Sequence, residues 1–188
     1  MRRRFKLLAA LLILGITISL SGCKQKYRRQ EPPAAARFPD QESIFRANQL
    51  IIRKYATSIS EKAASNGWHL SETGTGVFYQ LIDRKRNTQQ GNIETGDRIS
   101  LSFKLSLLDG TLCYSSKKQG VKQFFVDKSE AEPGLHEAVK FLQPGDSARI
   151  IIPPQRAFGL TGDGNLIPPR AILVYEVRID SVIRHLNN

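Results

Sequence analysis

Cysteine is scarce in this chain: Cys23 and Cys113 are the only two among 188 residues. If Cys23 serves the export chemistry argued below, Cys113 has no partner for an intramolecular disulfide, even in an oxidising compartment. Cys113 falls on a period-two position in apolar surroundings, which raises a thiol's pKa and argues against a nucleophile. Histidine is nearly as sparse. His69, His136 and His185 are widely separated and lack companions at metal-ligand spacing, so no metal site is expected. Gly-x-Ser-x-Gly, P-loop and HExxH patterns are missing too, and no cofactor is expected. Gly162-Asp163-Gly164 is a loop turn and not a phosphate cradle, because no helix follows it. No internal repeat is visible.

Negative charge is also in deficit, with 17 Asp+Glu against 28 Lys+Arg, a formal net charge of +11. Nucleic-acid binding needs basic residues interleaved with aromatic or base-reading elements, and no such interleaving occurs, so no nucleic-acid partner is expected. The chain likewise has no apolar run of the roughly 20 residues that a membrane span needs. Its longest apolar stretch, Leu7 to Ile18, follows Arg2, Arg3, Arg4 and Lys6 and leads into Leu20-Ser21-Gly22-Cys23. A basic start, a short apolar core and small residues at the cleavage point describe an export signal over residues 1–22. Leu-Ser-Gly-Cys resembles the lipobox of bacterial lipoproteins, which implies cleavage before Cys23 and lipidation of its thiol. Four of the basic residues and none of the acidic ones precede Cys23, so cleavage would lower the net charge from +11 to +7. Lys24, Lys26, Arg28, Arg29 and Arg37 would then sit beside the anchor, as solvated tether charge or against anionic head groups.

Residues 23–40 are polar and rich in Pro and Ala, and read as a tether. A helix is expected over 41–66, with Asp40 or Ser43 as its cap. Ile44, Ala47, Leu50, Ile51, Tyr55 and Ile59 fall at spacings of three and four, an amphipathic stripe ended by Asn66-Gly67. One apolar face must be buried, either on the domain that follows or on a second copy of the chain through residues 43–65.

Beyond Gly74 the pattern changes to period two. Strands are expected at Val77–Asp83, Arg98–Leu107, Thr111–Ser116, Lys122–Asp127, Ser147–Ile152 and Ala171–Ile183. Arg98–Leu107 is the clearest, because Ile99, Leu101, Phe103, Leu105 and Leu107 alternate with Ser and Lys. Asp109-Gly110 is a strong hairpin signal. A short helix is expected at Gly134–Leu142. Between Ile152 and Ala171, Pro153-Pro154 stops a strand, and three glycines punctuate a loop. That loop carries Phe158, Leu166 and Ile167, although connections normally run through water.

Gly96-Asp97, Leu108-Asp109-Gly110, Gly134-Leu135, Pro144-Gly145, Ala157-Phe158-Gly159 and Ile167-Pro168-Pro169 occur in an order and spacing that resembles the FKBP-type peptidyl-prolyl isomerases. The resemblance covers residues 74–184. It implies an α+β fold, a curved antiparallel β-sheet wrapped around one short helix and here preceded by an N-terminal amphipathic helix. With the lipobox and tether, the chain is also similar to gliding-motility-type isomerase lipoproteins of Bacteroidetes. The function implied is peptidyl-prolyl cis-trans isomerisation of proline-containing polypeptides during folding of exported proteins. The alternative is a catalytically weak chaperone or assembly subunit. The location implied is the cell envelope, lipid-anchored at the outer membrane facing the periplasm.

Carried over by position, the residues implied for catalysis are Phe103, Tyr114, Phe124, Leu135, Phe158, Ile167 and Tyr175. Those implied for substrate binding are Cys113, Ala131, Glu132 and Leu166. Four places depart from the family. Leu135 stands where a Trp floor is usual, and Cys113-Tyr114 where Phe-Asp is usual. Phe158 replaces a Tyr, and Ala131-Glu132 replaces an apolar pair.

Overall fold

A computed structural model describes residues 40–84, 91–128 and 131–185. The export signal expected over residues 1–22, Cys23 and most of the expected tether lie outside the described residues. The connection after Asp83 lies partly outside them as well.

Helix α1 (Gln41–Asn66) begins and ends within a residue or two of the sequence expectation. Its C-terminus closes as the Gly67 and Trp68 amides return to the Ala64 and Ala63 carbonyls. Only the second half of its apolar stripe is covered. Ile59 and Ala63 are buried, and Tyr55 and Ala56 pack beside them. Ile44, Phe45, Leu50, Ile51 and Ile52 in the first half are all exposed.

The strands β1 (Ser71–Glu72), β2 (Phe78–Asp83), β3 (Arg98–Leu107), β4 (Leu112–Ser115), β5 (Lys122–Phe125), β6 (Ser147–Ile152) and β7 (Leu173–Ile183) form one sheet in the order β1-β2-β6-β7-β3-β4. Every pairing is antiparallel, and β5 joins the same edge of β3 as β4. Between β4 and β5 the chain leaves the sheet as a single turn, α2 (Ser116–Gln119). This detour would strand a ladder donor of β3. The Ser116 hydroxyl takes that role, accepting from the Phe103 amide at 2.7 Å. Short helix α3 (Pro133–Val139) crosses the concave face of the sheet.

Parity decides which face each side chain serves. Ile99, Leu101 and Leu105 of β3, Ile150 and Ile152 of β6, and Leu173, Tyr175, Val177 and Ile179 of β7 join Leu135, Ala138, Val139 and Leu142 in the main core. Ile151 and Val174, one residue out of phase, join Phe78, Ile172 and Ile59 under α1. The unbroken run Ile150-Ile151-Ile152 therefore marks a central strand covered on both faces.

Two local expectations are corrected, and one short strand was not foreseen. The first apolar strand after Asp109-Gly110 spans 112–115, because Ser116 opens α2. The helix ends at Val139, although Leu142 still reaches the core. The two-residue β1 has too little sequence to show a period.

Candidate functional site

Helix α3 comes so close to the sheet that a Cβ on Gly134 would lie 2.3 Å from the Ile152 side chain. Beside that contact, the end of β3, the α2 turn and the loop after β6 enclose a cleft of about 320 Å³. Its wall is made by Phe103 and Leu105 from β3, Tyr114 from β4, Gln119 to Lys122, Glu132, Phe158 and Tyr175. A second cleft of about 340 Å³ adjoins it, lined by Ala131, Pro133 and Ala157 and sharing Lys122, Glu132 and Phe158.

Phe103 and Tyr175 face each other across β3 and β7 with ring centres 6.0 Å apart. Below them lies a polar cluster. The Tyr175 hydroxyl donates to Glu132 Oε1 at 2.7 Å, and the Lys122 ammonium donates to Glu132 Oε2 at 2.8 Å. Lys122 Nζ also lies 3.5 Å from the Tyr175 hydroxyl and 5.8 Å from its ring centre. Burial, and then the Glu132 carboxylate, push the Tyr175 hydroxyl far above its ordinary pKa, so it serves as a fixed donor.

The overhanging loop is folded around Asp163. Its Oδ1 accepts from the Asn165 and Ile167 amides at 2.9 and 2.8 Å, and its Oδ2 accepts from the Tyr114 hydroxyl. Burial raises the Asp163 carboxyl, but these donors outweigh it and hold it below the usual carboxylate range. The same hydrogen bond raises the Tyr114 hydroxyl. Arg170 N donates to the Gly159 carbonyl at 2.9 Å and ties the loop's ends together. Arg156 pairs with Glu137 of α3 at 2.8 Å, fixing the turn that presents Phe158. The loop is thus apolar on its surface and polar in its anchoring.

The residues implied by the resemblance divide accordingly. Phe103, Tyr114 and Tyr175 line the first cleft, Glu132 and Phe158 line both, and Ala131 lines the second. Phe124, Leu135, Ile167 and Cys113 lie beneath it as buried core. Burial, and then the Asp163 and Asp109 carboxylates, raise the Cys113 thiol. Leu166 stands half-exposed on the loop. His136 is spent within the core, where its Nδ1 accepts from the Asp127 amide and its ring meets the Phe124 edge. Lys122, Leu105, the Gln119–Val121 turn, Pro133 and Ala157 are wall residues that sequence reasoning missed. Leu105 was within reach, two places from Phe103 on the same face. A single lysine at the start of a strand carries no signal of that kind.

An aromatic cleft thus lies under an anchored apolar loop, on a sheet curved around one helix. The FKBP-type peptidyl-prolyl cis-trans isomerase family model matches residues 89–180. FK506-binding protein 1 of Dictyostelium discoideum is 32% identical over 92 residues, covering 48% of this chain and 86% of that protein. The chain belongs to the FKBP-type peptidyl-prolyl cis-trans isomerase family. An outer membrane protein MIP of Legionella longbeachae is 27% identical over 108 residues, 57% of this chain and 45% of that protein. The chain spans about half the length of curated relatives such as this one. A crystal structure of a peptidyl-prolyl cis-trans isomerase from Pseudomonas syringae shares the fold. Its TM-score is 0.59 at 21% identity, covering 72% of this chain and 96% of that one.

Proposed function

We propose that the protein is a peptidyl-prolyl cis-trans isomerase acting on exported polypeptides at the cell envelope. The observation that carries the reading is the cleft walled by Phe103, Tyr114, Phe158 and Tyr175. Rotation about a peptide bond meets a barrier of about 18–20 kcal/mol, and unaided X-Pro isomerisation takes tens to hundreds of seconds. Nothing covalent changes, so no nucleophile is required. An apolar wall that holds the proline ring and strips water from its amide favours the twisted, less conjugated form over either planar one. Val121, Leu160 and Leu166 leave an exposed apolar rim on which the flanking chain can lie.

Isomerase assays on the compact unit 41–188 test this, with exchange of a proline peptide followed by NMR. Wild type should accelerate exchange, and Phe158→Ala should lower kcat/KM about tenfold, a loss of about 1.4 kcal/mol of transition-state binding. Exchange no faster than in buffer would overturn the enzyme reading. A second reading, a chaperone with the groove but little turnover, draws on the charged pair that Lys122 and Glu132 place in the wall.

The lipobox supports anchoring through Cys23, and a relative described as an outer membrane protein supports the outer membrane. Cys23→Ala should abolish incorporation of a clickable palmitate analogue in cells. Equal labelling of both proteins would refute the anchor. The exposed first half of α1 supports a second copy of the chain as its partner, since only Ile59 and Ala63 are buried within the protomer.

A further inference from the structure

The ionisable groups on the cleft wall are Tyr114, Lys122, Glu132 and Tyr175, and three of them are fully engaged. Tyr114 donates to Asp163 and accepts from Asn165. Tyr175 donates to Glu132, whose two oxygens are divided between Tyr175 and Lys122. The Lys122 ammonium has three protons to give. One goes to Glu132 at 2.8 Å, and the Tyr175 oxygen at 3.5 Å is a long second acceptor. The Lys122 side chain is 24% exposed and that of Glu132 only 6%, so an arriving ligand meets the cation. Lys117 and Lys118 stand exposed on the α2 turn directly before the cleft-lining Gln119, and residues 111–126 contain no Asp or Glu. Asp163, the nearest acid on the facing loop, is occupied by Tyr114 and two amides.

We propose that Lys122, held in place by Glu132 and Tyr175, makes this cleft selective for prolyl segments carrying an acidic side chain next to the proline. The inference rests on the isomerase reading for its substrate and gives that substrate a chemical class. A carboxylate entering beside the proline reaches the free side of the ammonium without displacing Glu132. A neutral amide of the same shape gains no charge–charge attraction, and a lysine in its place is repelled.

The test uses fluorophore-labelled tetrapeptides with Glu, Gln, Leu or Lys before proline, read both as kcat/KM and as affinity by fluorescence anisotropy. Wild type should favour Glu over Gln about fivefold, as a partly exposed ion pair does. The ratio should shrink towards one in about 1 M salt, where screening acts within roughly 3 Å. Lys122→Met combined with Glu132→Leu removes both charges together, and should bring the ratio to about one with Leu favoured. Equal handling of Glu and Gln by wild type, or a preference for Leu, would overturn the proposal. Should no peptide be turned over, the isomerase reading fails alone, and anisotropy still decides selectivity. The wild-type ratio and its salt dependence need no variant, so they decide even if the double substitution unfolds.

Discussion

Glu132→Ala alone should cost about 3–5 kcal/mol of folding stability, the usual result of breaking one partner out of a buried ion pair. The substitution orphans a Lys122 ammonium that is largely covered, and a Tyr175 hydroxyl on a residue only 1% exposed. An unpaired buried hydroxyl by itself costs about 1–3 kcal/mol. Lys122 keeps some contact with water, which places the expected loss towards the lower end of the range. Removing both charges with Lys122→Met and Glu132→Leu takes the desolvation penalty of the pair away with it, and should leave only a cost of about 1–3 kcal/mol from the orphaned Tyr175 hydroxyl. Urea unfolding midpoints at unchanged slope would measure both. A loss below about 1 kcal/mol in Glu132→Ala would mean that water replaces the carboxylate, and that the cluster does not shape the wall.

Gly162→Ala should cost about 2–6 kcal/mol, and a substitution two residues away gives the control. The added Cβ would lie 2.2 Å from the Ile167 carbonyl oxygen and 2.8 Å from the Pro168 carbonyl carbon. Both are backbone atoms, so they can yield only if the whole loop moves. Gly162 also has φ +72°, which an L side chain adopts at a cost of about 1–3 kcal/mol. Overpacking adds about 1–3 kcal/mol. Gly164 has φ +74° and nothing within 4 Å of an added Cβ, so Gly164→Ala should show the strain alone. The two variants therefore separate conformational strain from steric contact. Gly162→Ala should also weaken peptide binding, because Phe158, Leu166 and Asp163 share the displaced loop. Equal unfolding temperatures for the two variants would mean that the loop absorbs the methyl group without rearranging.

Both substitutions act on features that hold the cleft open in one shape. Tyr114, in a position where the family commonly carries an acidic residue, fastens the loop from the β4 side through Asp163. An Asp at position 114 would instead face the Asp163 carboxylate across the same gap, two like charges where there is now a donor and an acceptor. The departures at 114 and 132 are therefore each matched by a partner elsewhere in the fold.

Much of the architecture was legible in the chain because its signals are local. The alternation of Ile99 to Leu107, the turn at Asp109-Gly110 and the stripe in 41–66 each report a period over a few residues, and the elements formed where that period ran. The stripe did not reveal that only its second half would be covered. Ile44 and Leu50 carry the same pattern as Ile59, and packing against Phe78, Ile151 and Val174 distinguishes them. The detour at Ser116 was hidden for a related reason. A strand interrupted for one turn keeps its apolar residues, and only the pairing of β4 and β5 along the same edge of β3 exposes the interruption.

By itself the sequence determined the family, the curved sheet around one helix, and the aromatic residues Phe103, Phe158 and Tyr175 that line the cleft. Periodicity, turn residues and motif order are properties of neighbouring residues, and they survive without knowledge of the fold. Which of those apolar side chains line the cleft was decided only in three dimensions. Phe124, Leu135 and Ile167 are apolar as Phe103 is, but they are buried in the core. The pairing of Lys122 with Glu132 was decided there too. Ten residues apart in the chain and on different elements, they meet because β5 pairs with β3 while α3 packs beneath, and nothing in either residue's neighbourhood specifies the other.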